Sequence, residues 1–265
     1  MPRSWRRQAL DHRIKPSHQW RMFPIRDHNP SNRVPYVTYA LITVNIAVFL
    51  YSAVVFTTDM SLSRFYFDYA MIPARMSEGQ GYAGLLTSMF LHAGIMHIAG
   101  NMLFLWIFGD NLEDKMGHFG FLAFYILSGV GAGFAQLAVD PTSPVPMVGA
   151  SGAIAGVLGG YLLLFPKAKV DIFIFFVIFF RILPIPAWIM LGLWFALQLT
   201  NAFANDISGG GVAYWAHAGG FIVGFVFAIP LWHKLGGRQW WLSTDYHPAH
   251  PEAEYPSRIP IVRKR

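Results

Sequence analysis

Among the polar residues that stand within long apolar stretches of the chain, five have types and spacings that suit chemistry: His92, His97, Asn101, Ser151 and His217. Polar and ionisable side chains are costly in such surroundings, so each is a candidate for function. His97 and Asn101 are four residues apart and share one face of a helix. Both donate hydrogen bonds from their side chains, and two such donors side by side suit a developing oxyanion. Taken alone, the pair is read more readily as a hydrogen-bonded tie between helices. Ser151 follows Pro146-Met-Val-Gly149-Ala150 and opens a glycine-rich helix start, where backbone N–H groups lack helical partners. A serine there is either a cap or a nucleophile whose own amide faces the negative charge formed on an attacked carbonyl. As a nucleophile it needs a base to take its proton, and a neutral His217 is such a base. The other histidines (His12, His18, His28, His118, His233, His247 and His250) fall in tails, loops or span ends.

The elements that would bring serine and histidine together are marked by small residues. Gly152, Gly156 and Gly160 recur every four positions, as do Ala216, Gly220, Gly224 and Ala228 beside His217. Such stripes let two helices approach closely, which places Ser151 and His217 at the same end of neighbouring helices. Of the 265 residues, 54% are hydrophobic and 13% charged, against about a quarter charged in a typical soluble domain. Six stretches approach the length of a membrane span, roughly 17–25 residues: about 36–56, 87–109, 120–139, 148–165, 185–203 and 213–232. The apolar run Ile172 to Phe180 is too short to span and is assigned to the loop before the fifth stretch. The expectation is an all-α membrane protein. A basic N-terminal segment (1–35) precedes a helical core (36–235), and a Pro-rich polar tail (236–265) is expected to be disordered. Trp240 and Trp241 are expected at a membrane interface.

Of the 20 Lys and Arg residues, 18 fall on one side of these spans, with Arg64 and Arg75 on the other. An even number of spans puts both basic termini on that side, so both are expected in the cytoplasm. Ser151 and His217 then lie near the non-cytoplasmic ends of their spans. The positive charge reads as topology and contact with anionic lipid rather than nucleic-acid binding. Residues 1–35 hold no apolar stretch of signal-peptide length, so the first span is expected to serve as an uncleaved insertion signal. Cysteine is absent, which excludes disulfides and thiolate metal sites.

Gly149-Ala150-Ser151-Gly152, Ala216-His217-Ala218-Gly219 and the series His92, His97, Asn101 together resemble the motifs of the rhomboid family of intramembrane serine proteases. Glu113 and Gly117 resemble a further family pattern, and the likeness covers about residues 36–232. The resemblance implies a six-transmembrane-helix bundle and a serine endopeptidase that cuts transmembrane segments of other membrane proteins. It implies Ser151 as nucleophile and His217 as general base and acid, with no carboxylate partner. The oxyanion hole would comprise His97, Asn101 and the Ser151 backbone amide, supported by His92, Gly149 and Gly152. No cofactor or metal is implied. The expected setting is a bacterial inner membrane, with a water-filled cavity open to the non-cytoplasmic side. Residues 57–86 would form a membrane-lying first loop, and Phe65, Tyr66, Phe67 and Tyr69 suit an interface.

Two departures stand out. Some members carry an aromatic residue four positions after the serine, stacked on the histidine, where this chain has Ala155. Some carry a Trp-Arg pair in the first loop, which this chain lacks. How His217 is held and how that loop is anchored therefore stay open in the sequence. Three other readings fit less well. A transporter often shows internal repeats, and the two halves of this chain show none. A metalloprotease of the H-E-x-x-H type needs histidines four apart with an adjacent Glu, whereas His92 and His97 are five apart and Ala93 follows the first. A catalytically inactive relative acting as a binding factor is disfavoured because both Ser151 and His217 are present. Nothing in the sequence points to an oligomeric state.

Overall fold

The computed structural model describes residues 21–29, 31–176, 179–204 and 212–246. Strand β1 (Arg21–Asp27) precedes helix α1 (Tyr36–Val55). A connecting region follows, built from α2 (Asp59–Tyr69), α3 (Pro73–Ser77), α4 (Gly84–Thr87) and a 3₁₀ turn (Ser88–Phe90). Then come α5 (Ile95–Met116), α6 (His118–Val139) and α7 (Ser151–Leu164). A hairpin of β2 (Lys169–Phe176) and β3 (Phe179–Pro186) leads into α8 (Ala187–Ala204), α9 (Tyr214–Lys234) and α10 (Arg238–Ser243).

Helices α1, α6, α8 and α9 are long and apolar enough to cross a membrane. The segment from α4 through α5 makes a fifth candidate if it is counted as one span with a 94° bend. Helix α7 is apolar but only 14 residues long. The protein is thus a mostly helical, multi-pass membrane protein with four to five candidate spans. The single span expected over 87–109 is corrected. The chain turns between Phe90 and Ile95, and α5 starts later and runs on to Met116. Gly84 packs so tightly on the preceding loop that a Cβ would stand 2.5 Å from the Ala70 carbonyl oxygen. The Tyr66 hydroxyl donates to the His92 carbonyl at 3.2 Å, serving one backbone group that the break leaves outside a helix.

The first loop is anchored without the Trp-Arg pair. The Arg75 guanidinium donates to the Phe67 carbonyl and lies 4.1 Å from the centre of the Phe67 ring. Met71 and Met147 exchange backbone hydrogen bonds, joining this loop to the one that precedes α7.

The all-α expectation is also corrected. β1, β2 and β3 form an antiparallel sheet in that order, so the run Ile172 to Phe180 is strand on both sides of residues 177–178, which lie outside the described residues. Asp171 joins β1 to β2. It accepts from Arg26 at 2.9 Å and pairs with His28 at 2.7 Å. Burial alone would raise its carboxyl, but the hydrogen bonds and charges of His28 and Arg26 hold it below the usual carboxylate range. Pro184 and Pro186 fall on β3, an edge strand, where missing N–H groups cost little.

The segment ahead of α1 is tied to the bundle in the same way. Asn29 and Asn111 bond one another at 3.0 and 2.6 Å, and Tyr161 donates to Asp27 at 2.7 Å. Burial pushes the Asp27 carboxyl up to about 7 in spite of the Tyr161 bond, with nearby Asp110 adding to the effect. Helix α1 begins after Pro35 with no side-chain cap of its own. The fully buried Glu113 of α5 takes that place, accepting from the Val37 and Thr38 backbone N–H groups and the Thr38 hydroxyl, each at 2.8 Å. A carboxylate at a helix N-terminus satisfies orphan donors and opposes the helix dipole. Part of the expected tail is helical, as α10. Trp241 donates to the Leu163 carbonyl at 3.1 Å, and Trp240 and Trp241 pack against the core.

The core of the bundle is the contact of α7 with α6 and α9. A Cβ on Gly224 would stand 2.1 Å from the Gly156 carbonyl oxygen, and one on Gly220 2.1 Å from that of Gly152. The expected α9 stripe therefore meets α7 backbone to backbone. The α7 stripe is used differently from the expectation. Gly152 and Gly156 also admit Ala132 and Ser128 of α6, while Gly159, outside the four-residue row, admits the Phe221 backbone.

Candidate active site

Ser151 is the first residue of α7. Ala150 holds the cap position, and no side-chain bond caps the helix. The serine is therefore not spent as a cap. Its Oγ lies 2.8 Å from Nε2 of His217, in the first turn of α9. The backbone contact between α7 and α9 allows this reach, since both residues start their helices at the same end of the packed pair.

Gly149 has φ 125°, in the left-handed region that favours glycine. A Cβ there would stand 2.7 Å from His97 Nε2. The glycine thus lets the backbone before Ser151 approach His97, and its N–H is anchored on the Ser88 carbonyl at 2.9 Å. His97 and Asn101 stand one turn apart in the first turns of α5. Asn101 is buried, and its Nδ2 has no hydrogen-bond partner among the described residues. A buried donor without a partner is uncommon and calls for an explanation.

Ser151, His217, His97, Asn101, Gly149 and Gly152 all line one cavity of about 1080 Å³. His92 does not line it and does not lie on α5. It is buried in the bend, with its ring edge-on to His97 at 5.1 Å between centres. Neither of its ring nitrogens has a partner among the described residues. No group of three His, Cys, Asp or Glu residues among the described residues is arranged to hold a metal ion.

The residues that hold His217 escaped the sequence reading. Gln198 Oε1 lies 2.9 Å from His217 Nδ1. The Trp194 indole faces the imidazole at 6.0 Å, tilted by 30°. Both project from α8, four residues apart. Their signal in the sequence is an amide inside an apolar helix, a group that does not titrate. The position after Ser151 that lacks an aromatic ring, Ala155, is fully buried.

Residues 79–234, more than half of the chain, match the family model described as "Rhomboid domain". The chain is 30% identical over 207 residues to "Rhomboid protein 1, mitochondrial" of Saccharomyces cerevisiae, covering 75% of this chain and 53% of that protein. It is 31% identical over 150 residues to "Rhomboid protease AarA" of Providencia stuartii, covering 51% of this chain and 53% of that one. It is 44% identical over 78 residues to "Rhomboid protease GluP" of Bacillus subtilis, covering 29% of this chain and 15% of the relative. The chain spans no more than about half the length of these relatives.

Proposed function

This chain belongs to the rhomboid family, and on that premise we propose that it is an intramembrane serine endopeptidase that cleaves transmembrane segments of other membrane proteins. The observation that carries the reading is the 2.8 Å contact of Ser151 Oγ with His217 Nε2 inside a cavity also lined by His97 and Asn101.

In this reading Ser151 Oγ attacks the scissile carbonyl while its proton passes to His217 Nε2. The carbonyl oxygen becomes an oxyanion and receives hydrogen bonds from His97, Asn101 Nδ2 and the Ser151 N–H. His92 backs the His97 ring. Collapse of the intermediate breaks the peptide C–N bond, and His217 returns the proton to the leaving amine. Water entering the cavity then repeats the sequence on the acyl-enzyme, with His217 as base. A substrate helix hides its peptide bonds in i to i−4 hydrogen bonds. Segments rich in poor helix formers should therefore be cut most readily.

The six helices α1, α5, α6, α7, α8 and α9 form the catalytic bundle within residues 36–235. The distribution of Lys and Arg supports a cytoplasmic side for both termini, with the cavity opening to the opposite side. A bacterial inner membrane is the proposed setting.

The test is labelling of the detergent-solubilised chain with a fluorophosphonate probe. The wild-type chain should label, and Ser151→Ala and His217→Ala should not. Labelling that persists undiminished in Ser151→Ala sinks the nucleophile assignment.

A further inference from the structure

We propose that Gln198 is a positioning residue for the base, fixing which nitrogen of His217 carries the proton. The proposal rests on the reading of Ser151 and His217 as the reacting pair. A side-chain amide oxygen only accepts hydrogen bonds. Gln198 Oε1 stands 2.9 Å from His217 Nδ1, so Nδ1 carries the hydrogen. In a neutral ring the other nitrogen then presents a lone pair, and that nitrogen, Nε2, faces Ser151 Oγ at 2.8 Å. In the opposite tautomer Nε2 would donate to the serine oxygen, and the serine proton would have nowhere to go.

Nothing else among the described residues around His217 makes this choice. Ser151 both donates and accepts, so it bonds to either tautomer. Ala155 of α7 offers no polar atom. The Trp194 and Tyr214 rings pack on the imidazole, Trp194 tilted by 30° and Tyr214 edge-on, and neither ring face selects a nitrogen. Among the described residues, only the amide addresses Nδ1. Trp194 and Gln198 occupy successive turns of α8, so one helix holds both the face and the far edge of the ring. This also accounts for a polar amide in a helix otherwise suited to lipid, where such a group is costly.

Two variants of the full chain test the idea through the rate of fluorophosphonate labelling. Gln198→Leu keeps the bulk but removes the acceptor. Its labelling rate at saturating probe should fall about tenfold, the scale of one lost hydrogen bond. The probe concentration giving half the maximal rate should stay unchanged, because the probe does not touch Gln198. Gln198→Glu restores an acceptor at the same reach and should recover most of the lost rate. A wild-type rate in Gln198→Leu overturns the proposal. So does a Gln198→Glu variant that folds but labels as slowly as Gln198→Leu. If Gln198→Leu fails to fold, the Gln198→Glu rate decides, with near wild-type labelling in support and a tenfold loss against. Wild-type labelling that survives in Ser151→Ala is a different failure, since it removes the reacting pair itself.

Discussion

Gly224 of α9 faces Gly156 of α7 so closely that a Cβ on the first would stand 2.1 Å from the carbonyl oxygen of the second. The atoms in the way belong to backbone, which cannot swing aside as a side chain can. Gly224→Ala should therefore push the two helices apart. Overpacking of this kind costs about 1–3 kcal/mol, and the same displacement separates Ser151 from His217. The expected outcome is a lower melting temperature in detergent together with slower fluorophosphonate labelling. Gly192→Ala, on α8, meets no atom within 4 Å and should leave both measurements near wild type.

Asn101 offers a sharper test of transition-state binding. Its buried Nδ2 has no partner among the described residues, so Asn101→Ala breaks no hydrogen bond of that group with them. Removing one oxyanion donor lowers turnover by about 10²–10³. Turnover of a model transmembrane substrate should fall by that factor, with the melting temperature close to wild type.

Glu113 should behave in the opposite way, through stability. Glu113→Ala strands the buried Thr38 N–H and hydroxyl and the part-buried Val37 N–H. Each unsatisfied buried donor costs about 1–3 kcal/mol, so the melting temperature should drop steeply. Glu113→Gln keeps one acceptor oxygen and should recover part of the loss.

Asp27 gives a dependence on pH. Its carboxyl is pushed up from 3.8 to about 7 in the folded protein. Between these values the unfolded chain has released the proton and the folded chain has kept it, so stability falls as pH rises from about 4 to 7. Protection of the β1 segment from protease should be greatest at the acid end of that window. Asp27→Asn should flatten the dependence, leaving protection at pH 8 higher than in the wild-type chain.

The pairing of Ser151 with His217 was readable because both small-residue stripes run along the chain at helical spacing. The partners of α7 were harder to read. A four-residue row selects one ridge of a helix, and Gly159 lies off that row although it admits the Phe221 backbone. The sheet was hidden for two reasons. The run Ile172 to Phe180 is continuously apolar, so it lacks the alternation that marks a strand. Its partner β1 lies about 145 residues away in sequence, as the Arg26–Asp171 pair shows, and no local pattern reports such a pairing. Gln198 is hard to read from sequence for a different reason. An amide lacks the titratable signature of histidine, and its importance appears only once α8 is seen beside α9.

Helix α7 has 14 residues and therefore rises about 21 Å, against about 30 Å of hydrocarbon in a typical bilayer. Its two ends cannot both reach a membrane surface. The Leu164 end is held by Trp241 at the Leu163 carbonyl, and the sheet follows directly. If that end sits at one surface, the whole shortfall of about 9 Å falls on the Ser151 side. The depth of the serine then depends on lipid as well as protein. A bilayer thinner by a few ångströms would bring Ser151 nearer to water and opposite a different residue of any crossing helix, shifted by about one position per 1.5 Å. On the proposed activity, membrane thickness would thereby enter the choice of cleavage site.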